Sequence, residues 1–143
     1  MKKPAEKTFG ILNPVFQGGD VLVICGSRAY WRAQFRRRRF PVAEIKDDDQ
    51  GALFDMQQSD GSRLFVLVLP PATFACDWYD TLAHEVSHLV DSVLAKHNAT
   101  GPAEHNEPRA YLSGFYTRRI LAGLTGNKVR TFNEKYFKNK EKK

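Results

Sequence analysis

The chain has little cysteine and no long apolar stretch. Only Cys25 and Cys76 are cysteines among 143 residues, and they lie far apart, outside any Cys-x-x-Cys pair. This argues against a disulfide framework, and each is expected to be a small buried side chain rather than a metal ligand or nucleophile. No segment has the roughly 20 consecutive apolar residues of a membrane-spanning helix. The lysines after Met1 precede no apolar run, so no secretory signal is predicted and the cytoplasm is the expected location.

The sequence shows no internal repeat, and no second domain is expected. A chain of 143 residues buries one core and little else, so a single domain is expected over residues 1–130. Residues 131–143 mix lysines with glutamates and asparagines. They are predicted to form a basic, flexible tail rather than a binding arm.

The net charge of +6 raises the question of nucleic-acid binding. The excess is concentrated in Arg36–Arg39 and in the tail. Trp31, Phe35 and Phe40 are interleaved with the arginines, which would suit a nucleic-acid-binding module. Helix arginines on several sides are more often a solvated face or a docking surface for an acidic protein, so nucleic acid is an unlikely partner.

Three strands and a helix are predicted in the first half. DVLVIC (20–25) is short, β-branched and apolar, and Gly26 and Ser27 follow as a turn and a helix N-cap. The next helix, SRAYWRAQFRRRR, should end before Pro41. ALFDM and RLFVLVL flank the turn QQSDGS and predict an antiparallel hairpin. The second strand has apolar residues on both faces, so both are expected to be covered.

Two helices are predicted in the second half. The longer begins with Asp77 as N-cap and runs to about His97. Its apolar stripe consists of Leu82, Val86, Leu89 and Val93. A last helix is predicted from around Glu107 to Leu124, before a Gly-Asn stop.

The segment HEVSH (84–88) is the most informative motif. Its histidines, His84 and His88, are four residues apart on the helix face opposite the apolar stripe, so both imidazoles can reach one metal ion. Glu85 lies at the edge of that face, where a carboxylate can take a proton from metal-bound water. Spacing alone also fits a solvent-facing polar stripe. Glu107, 19 positions after His88, would complete a zinc shell of two histidines and a glutamate with one open position.

These residues resemble the gluzincins, zinc metallopeptidases related to thermolysin, whose third ligand is a glutamate on a following helix, often preceded by asparagine. Asn106-Glu107 stands in that place. The resemblance implies His84 and His88 as zinc ligands, Glu85 as general base and Glu107 as third ligand.

The segment from Thr81 to about Leu124 is also similar to small His-Glu-x-x-His proteins that tailed bacteriophages and prophages encode among their structural genes. In those proteins a Glu-Pro-x-Ala-Tyr-Leu string follows the zinc motif, and this chain has EPRAYL. The expected fold is α+β, a minimal zincin-like domain whose small, mostly antiparallel sheet packs on an active-site helix and a glutamate helix.

The predicted function is a zinc-dependent metallopeptidase, encoded by a phage or prophage and acting in the host cytoplasm. It would use Zn²⁺ and a peptide or protein substrate. The alternative is a non-catalytic, zinc-stabilised assembly or virion-associated protein that contacts phage structural proteins.

More than one residue could be the third zinc ligand. Pro108 disfavours helical geometry at the residue before it, so Glu107 is expected at the N-cap, or the proline within the first turn. Glu104 and His105 are the alternative ligands.

Other residues of the two predicted helices could either support the metal site or have a purely structural role. Ala110 and Gly114 share a helix face with the predicted glutamate ligand and would allow close helix contact. Asp91 could orient one of the histidines or form an exposed salt bridge. Tyr111 and Tyr116 are predicted to pack in the core rather than to act as oxyanion donors.

Overall fold

The computed structural model describes residues 6–58, 60–97 and 102–126, except for the side chains of 102–106. These residues form four strands and three α-helices, the α+β class predicted. In chain order the elements are β1 (Lys7–Ile11), β2 (Val21–Cys25), α1 (Arg28–Arg37), β3 (Ala52–Gln57), β4 (Arg63–Leu69), α2 (Cys76–Lys96) and α3 (Pro102–Thr125). The predicted tail, 131–143, lies outside the described residues.

The four strands form one mixed sheet in the order β1-β2-β4-β3. The central pair, β2 and β4, is parallel, and the two outer pairs are antiparallel, so the sheet is mostly antiparallel as predicted. The predicted hairpin is confirmed, with Ala52 opposite Val68. The sequence did not predict β1, because this edge strand, KTFGI, is mostly half-buried and shows no clear alternation of apolar and polar residues.

Helices cover both faces of the sheet. Phe65 and Leu67 of β4 pack in one core with α2 and α3. Val66 and Val68, which point to the opposite face, pack in a second core with Trp31 of α1. This alternation confirms that both faces of β4 are covered and makes the domain three layers deep.

The helix that carries the motif begins slightly earlier than predicted. Its N-cap is Ala75, whose carbonyl accepts a hydrogen bond from the backbone N–H of Tyr79 at 3.1 Å. Asp77 is therefore inside the first turn, and the N-cap prediction is wrong. A carboxylate in the first turn still interacts favourably with the helix dipole. The helix ends at Lys96, as predicted to within one residue.

The last helix begins at Pro102, so Glu107 does not open it and the prediction is wrong. A proline suits a first helical position because the N–H that it lacks would have no intrahelical partner there. Pro108 lies inside the helix, beyond the first turn. None of the described helices has the length and apolar character needed to cross a membrane.

Both cysteines are free thiols, but their surroundings differ. Cys25 is buried, and burial raises the pKa of its thiol to about 11. Cys76, the first residue of α2, is exposed. The prediction of a buried side chain is therefore right for Cys25 and wrong for Cys76, because Cys76 lies on the exposed side of the first turn of α2, where Trp78 is the buried residue.

Candidate metal centre

The two histidines of the motif meet on the exposed side of α2. The Nε2 atoms of His84 and His88 are 3.0 Å apart, and the rings are nearly perpendicular at a centroid distance of 4.6 Å. Two nitrogens that each lie about 2.0–2.1 Å from zinc in a tetrahedral shell are about 3.3 Å apart. The pair is thus close to the separation of two zinc ligands, although the same distance also suits a hydrogen bond between neutral imidazoles.

Glu85 is buried beside these exposed rings. Only 6% of its surface is accessible. Desolvation raises the pKa of the Glu85 carboxyl, His84 and His88 oppose that rise, and Asp49 adds to it. A carboxyl group with a raised pKa beside two imidazoles is suited to accepting and returning a proton.

The loop before β3 helps to bury this carboxyl group. A Cβ atom added at Gly51 would lie 3.1 Å from Cγ of Glu85 and 3.1 Å from Cγ2 of Thr81. It would also lie 3.2 Å from the carbonyl oxygen of Val68, which is backbone. A side chain here would require these neighbours to shift by a few tenths of an ångström, so glycine is the residue that fits this close approach without a shift. Sequence reasoning missed Gly51 and Asp49, because a polar loop such as IKDDDQG carries no local signal of its tertiary contact.

Gly51→Ala is expected to destabilise the protein by about 1–3 kcal/mol, because the added methyl group overpacks the contact with Glu85. The midpoint of urea unfolding measures the change, and an unchanged slope would show that the denatured state is unaffected.

Gly114→Ala is the matched control for that variant. A Cβ atom at Gly114 would meet no atom within 4 Å. Alanine is favoured over glycine inside a helix by about 1 kcal/mol, so this variant should be neutral or more stable. Equal effects of the two substitutions would contradict the close contact at Gly51.

Glu107 lies on the exposed face of α3, together with Ala110 and Gly114. The prediction that these small residues allow a close helix contact is wrong. The face that packs carries larger apolar side chains, which bury more area: Leu112, Phe115, Tyr116 and Ile120.

The structure does not group Glu107 with the two histidines. Among the residues it describes, no three His, Cys, Asp or Glu side chains are arranged to hold a metal ion. The side chains of the alternatives, Glu104 and His105, lie outside the described residues. Glu107 as third ligand therefore stays a prediction.

Asp91 forms a salt bridge between the two helices. Its Oδ1 lies 2.6 Å from Nη1 of Arg109, and both side chains are partly exposed. The salt-bridge interpretation of Asp91 is thus the one that the structure supports. Such a pair contributes little to stability, but it joins α2 to α3 just after Pro108.

Tyr116 and Tyr111 pack in the core, as predicted. The hydroxyl of Tyr116 accepts a hydrogen bond from Nδ2 of Asn13 at 3.0 Å and donates one to the carbonyl of Gly19 at 2.5 Å. Burial raises the pKa of Tyr116 to about 12. Tyr111 stacks on Phe115. Tyr116 therefore stabilises the loop between β1 and β2 and is not directed at the histidines.

The arginine run is a solvated surface. Arg36, Arg37 and Arg39 are exposed. Trp31 and Phe35, which are interleaved with the arginines in the sequence, are almost wholly buried. They therefore have no free ring face on which a nucleic-acid base could stack.

Comparisons of the chain with models of protein families, with curated proteins and with solved structures found no match. Conclusions about function therefore depend on the histidine pair, Glu85 and their surroundings.

Proposed function

We propose that the protein is a small zinc-dependent metallopeptidase in which His84 and His88 bind the metal and Glu85 is the general base. One observation carries the proposal. Two imidazole nitrogens converge to 3.0 Å on an exposed helix face, and the residue that follows the first imidazole is a buried carboxyl group. A solvated polar stripe would not need a buried acid within it.

Zinc bound here would act as a Lewis acid towards a peptide carbonyl and would lower the pKa of water to about 7. Glu85 would accept a proton from the attacking water and deliver it to the leaving amine.

The sheet edge next to Glu85 favours a peptide as the substrate. Among the described strands β3 pairs only with β4, and it begins directly after Gly51, which lies close to Glu85. An extended peptide can add to such an edge through backbone hydrogen bonds. A peptide that follows β3 towards its first residue would approach the Glu85 carboxyl. From the resemblance of the segment Thr81 to about Leu124 we also propose a phage or prophage origin and action in the host cytoplasm.

The zinc content of the purified protein tests the proposal. Wild type is expected to hold one zinc ion per chain and His88→Ala none, as measured by atomic emission against protein concentration. His97→Ala is the matched control, because His97 lies at the end of the same helix with its Nε2 3.0 Å from the carbonyl oxygen of Gln17, and should retain zinc.

The proposed metal site would be contradicted if wild-type protein refolded in the presence of zinc contained none. It would also be contradicted if His88→Ala held one zinc ion per chain. Zinc bound at His88 without cleavage of any peptide in a broad library would contradict the catalytic part. That result would leave the non-catalytic, zinc-stabilised protein as the better interpretation, in which zinc contributes folding free energy.

A further inference from the structure

A cavity of about 310 Å³ lies where the two parallel strands end. β2 leads into Gly26–Arg28 and β4 leads into Pro70-Pro71, and these two segments form walls of the cavity. Asp49 and Gln50, from the loop before β3, form a third wall. The carboxyl ends of adjacent parallel strands are a common location of ligand sites, and this volume is at the lower end of the range for ligand pockets.

The wall that follows β4 is held rigidly. The indole N–H of Trp31 donates to the carbonyl of Leu69 at 2.9 Å. The indole N–H of Trp78 and the thiol of Cys25 both donate to the next carbonyl, that of Pro70, at 3.0 and 3.1 Å. The cavity is therefore formed before any ligand arrives, which lowers the entropic cost of binding.

The described residues that line the cavity combine apolar surface with one cation, Arg28. Trp31, Pro70 and Pro71 supply apolar surface. Nε of Arg28 donates to the backbone carbonyl of Asp49 at 2.9 Å, which fixes the guanidinium at the cavity. Within the described part of the chain Arg28 forms no ion pair, so its charge can bind a carboxylate.

Asp49 also lines the cavity, so its negative charge offsets part of the charge of Arg28. Its Oδ2 accepts a hydrogen bond from the backbone N–H of Lys46 at 2.9 Å. Gly51, two residues later, lies close to Glu85, so the cavity and the proposed catalytic carboxyl group both adjoin the segment 49–51.

We propose that this cavity binds the C-terminal residue of a peptide, with its carboxylate on Arg28 and an apolar side chain against Trp31 and the two prolines. An acidic side chain would offer the same carboxylate, but it would leave the apolar walls without a partner. As a substrate site the cavity depends on the proposed function, and the protein would then cleave close to the C-terminus of its substrate. Binding itself needs neither zinc nor turnover.

The test is an NMR titration of the full-length protein with three probes. N-acetyl-L-phenylalanine has both groups, its amide lacks the carboxylate, and N-acetyl-L-glutamic acid α-amide has only a side-chain carboxylate. The readout is the indole N–H signal of Trp31, and the backbone N–H signal of Gly61, in the turn at the opposite end of β4 from the cavity, is the internal reference. N-acetyl-L-phenylalanine should shift the Trp31 signal saturably and bind most tightly.

Arg28→Gln should weaken binding of N-acetyl-L-phenylalanine by about 10- to 100-fold, the loss expected for a charge-assisted contact. Arg37→Gln, on the exposed side of the same helix, is the matched control and should bind normally. Gln50→Trp changes an exposed wall residue, should fill the cavity and abolish binding, and provides a second test should Arg28→Gln fail to fold.

Three results would overturn the proposal. The first is that N-acetyl-L-phenylalanine causes no saturable shift of the Trp31 signal. The second is that its amide binds as tightly as the acid does. The third is that the glutamic acid α-amide binds more tightly than N-acetyl-L-phenylalanine, which would assign the cavity to an acidic side chain. The titration is repeated with His88→Ala, which lacks the proposed metal ligand. If the His88→Ala variant binds N-acetyl-L-phenylalanine and the wild-type protein holds no zinc, the proposed function is refuted but the assignment of the cavity is not.

Discussion

Glu85→Gln is expected to leave zinc bound and to lower kcat/KM for peptide hydrolysis by about 10²- to 10⁴-fold, the contribution of a positioned general base. The amide keeps the shape of the side chain and can fill the same buried position between Gly51 and α2. It cannot accept a proton from water. Zinc content and kcat/KM are measured on the same preparation.

Asp77→Asn makes the same change from acid to amide in the exposed first turn of the same helix, seven residues before His84. This control should keep both zinc and activity. Turnover that survives in Glu85→Gln would remove Glu85 as the base. An equal loss in both variants would show that the effect comes from the helix and not from the chemistry of one carboxyl group.

The elements that were predicted well from the sequence are those in which apolar residues recur at a regular spacing. The apolar stripe of α2 is buried as expected, and its spacing alone places His84 and His88 on the other side. The prediction of α3 gave too much weight to Pro108. A proline inside a helix removes one hydrogen bond, and the buried contacts of Leu112 and Ile120 outweigh that loss.

In the candidate site, too, the features that depend on local spacing could be predicted from sequence, and those that depend on tertiary packing could not. Both histidines come from one helical turn, so local spacing predicts their approach. The burial of Glu85 depends on Gly51, which is 34 residues earlier in the sequence and reaches α2 only through the packing of the sheet. The position of Glu107 depends on the rotation of α3 against α2, which is decided by the apolar residues on the other side of α3.

Glu107→Ala is expected to weaken zinc binding by more than about 100-fold, since the loss of a partner outside the coordination shell already costs about 10- to 100-fold. In the structure Glu107 faces solvent, so its role as a ligand requires the start of α3 to bend towards α2 when zinc binds. Pro108 is a suitable place for the bend, because its ring removes the hydrogen bond to the carbonyl of Glu104. The ion pair of Arg109 with Asp91 would hold the helix beyond the bend.

Zinc affinity, measured by competition with a chromophoric chelator, is compared for Glu107→Ala, Glu104→Ala and His105→Ala. Glu44→Ala, which changes an exposed acid far from these positions in the sequence, is the control and should bind zinc normally.

A large loss of zinc affinity confined to Glu104→Ala or His105→Ala would assign the third ligand position to that residue. Unchanged affinity in all three would mean that the start of α3 supplies no ligand, and zinc would then have only the two histidines of α2. A third protein ligand is typical of catalytic zinc, so that outcome would also weaken the case for hydrolysis.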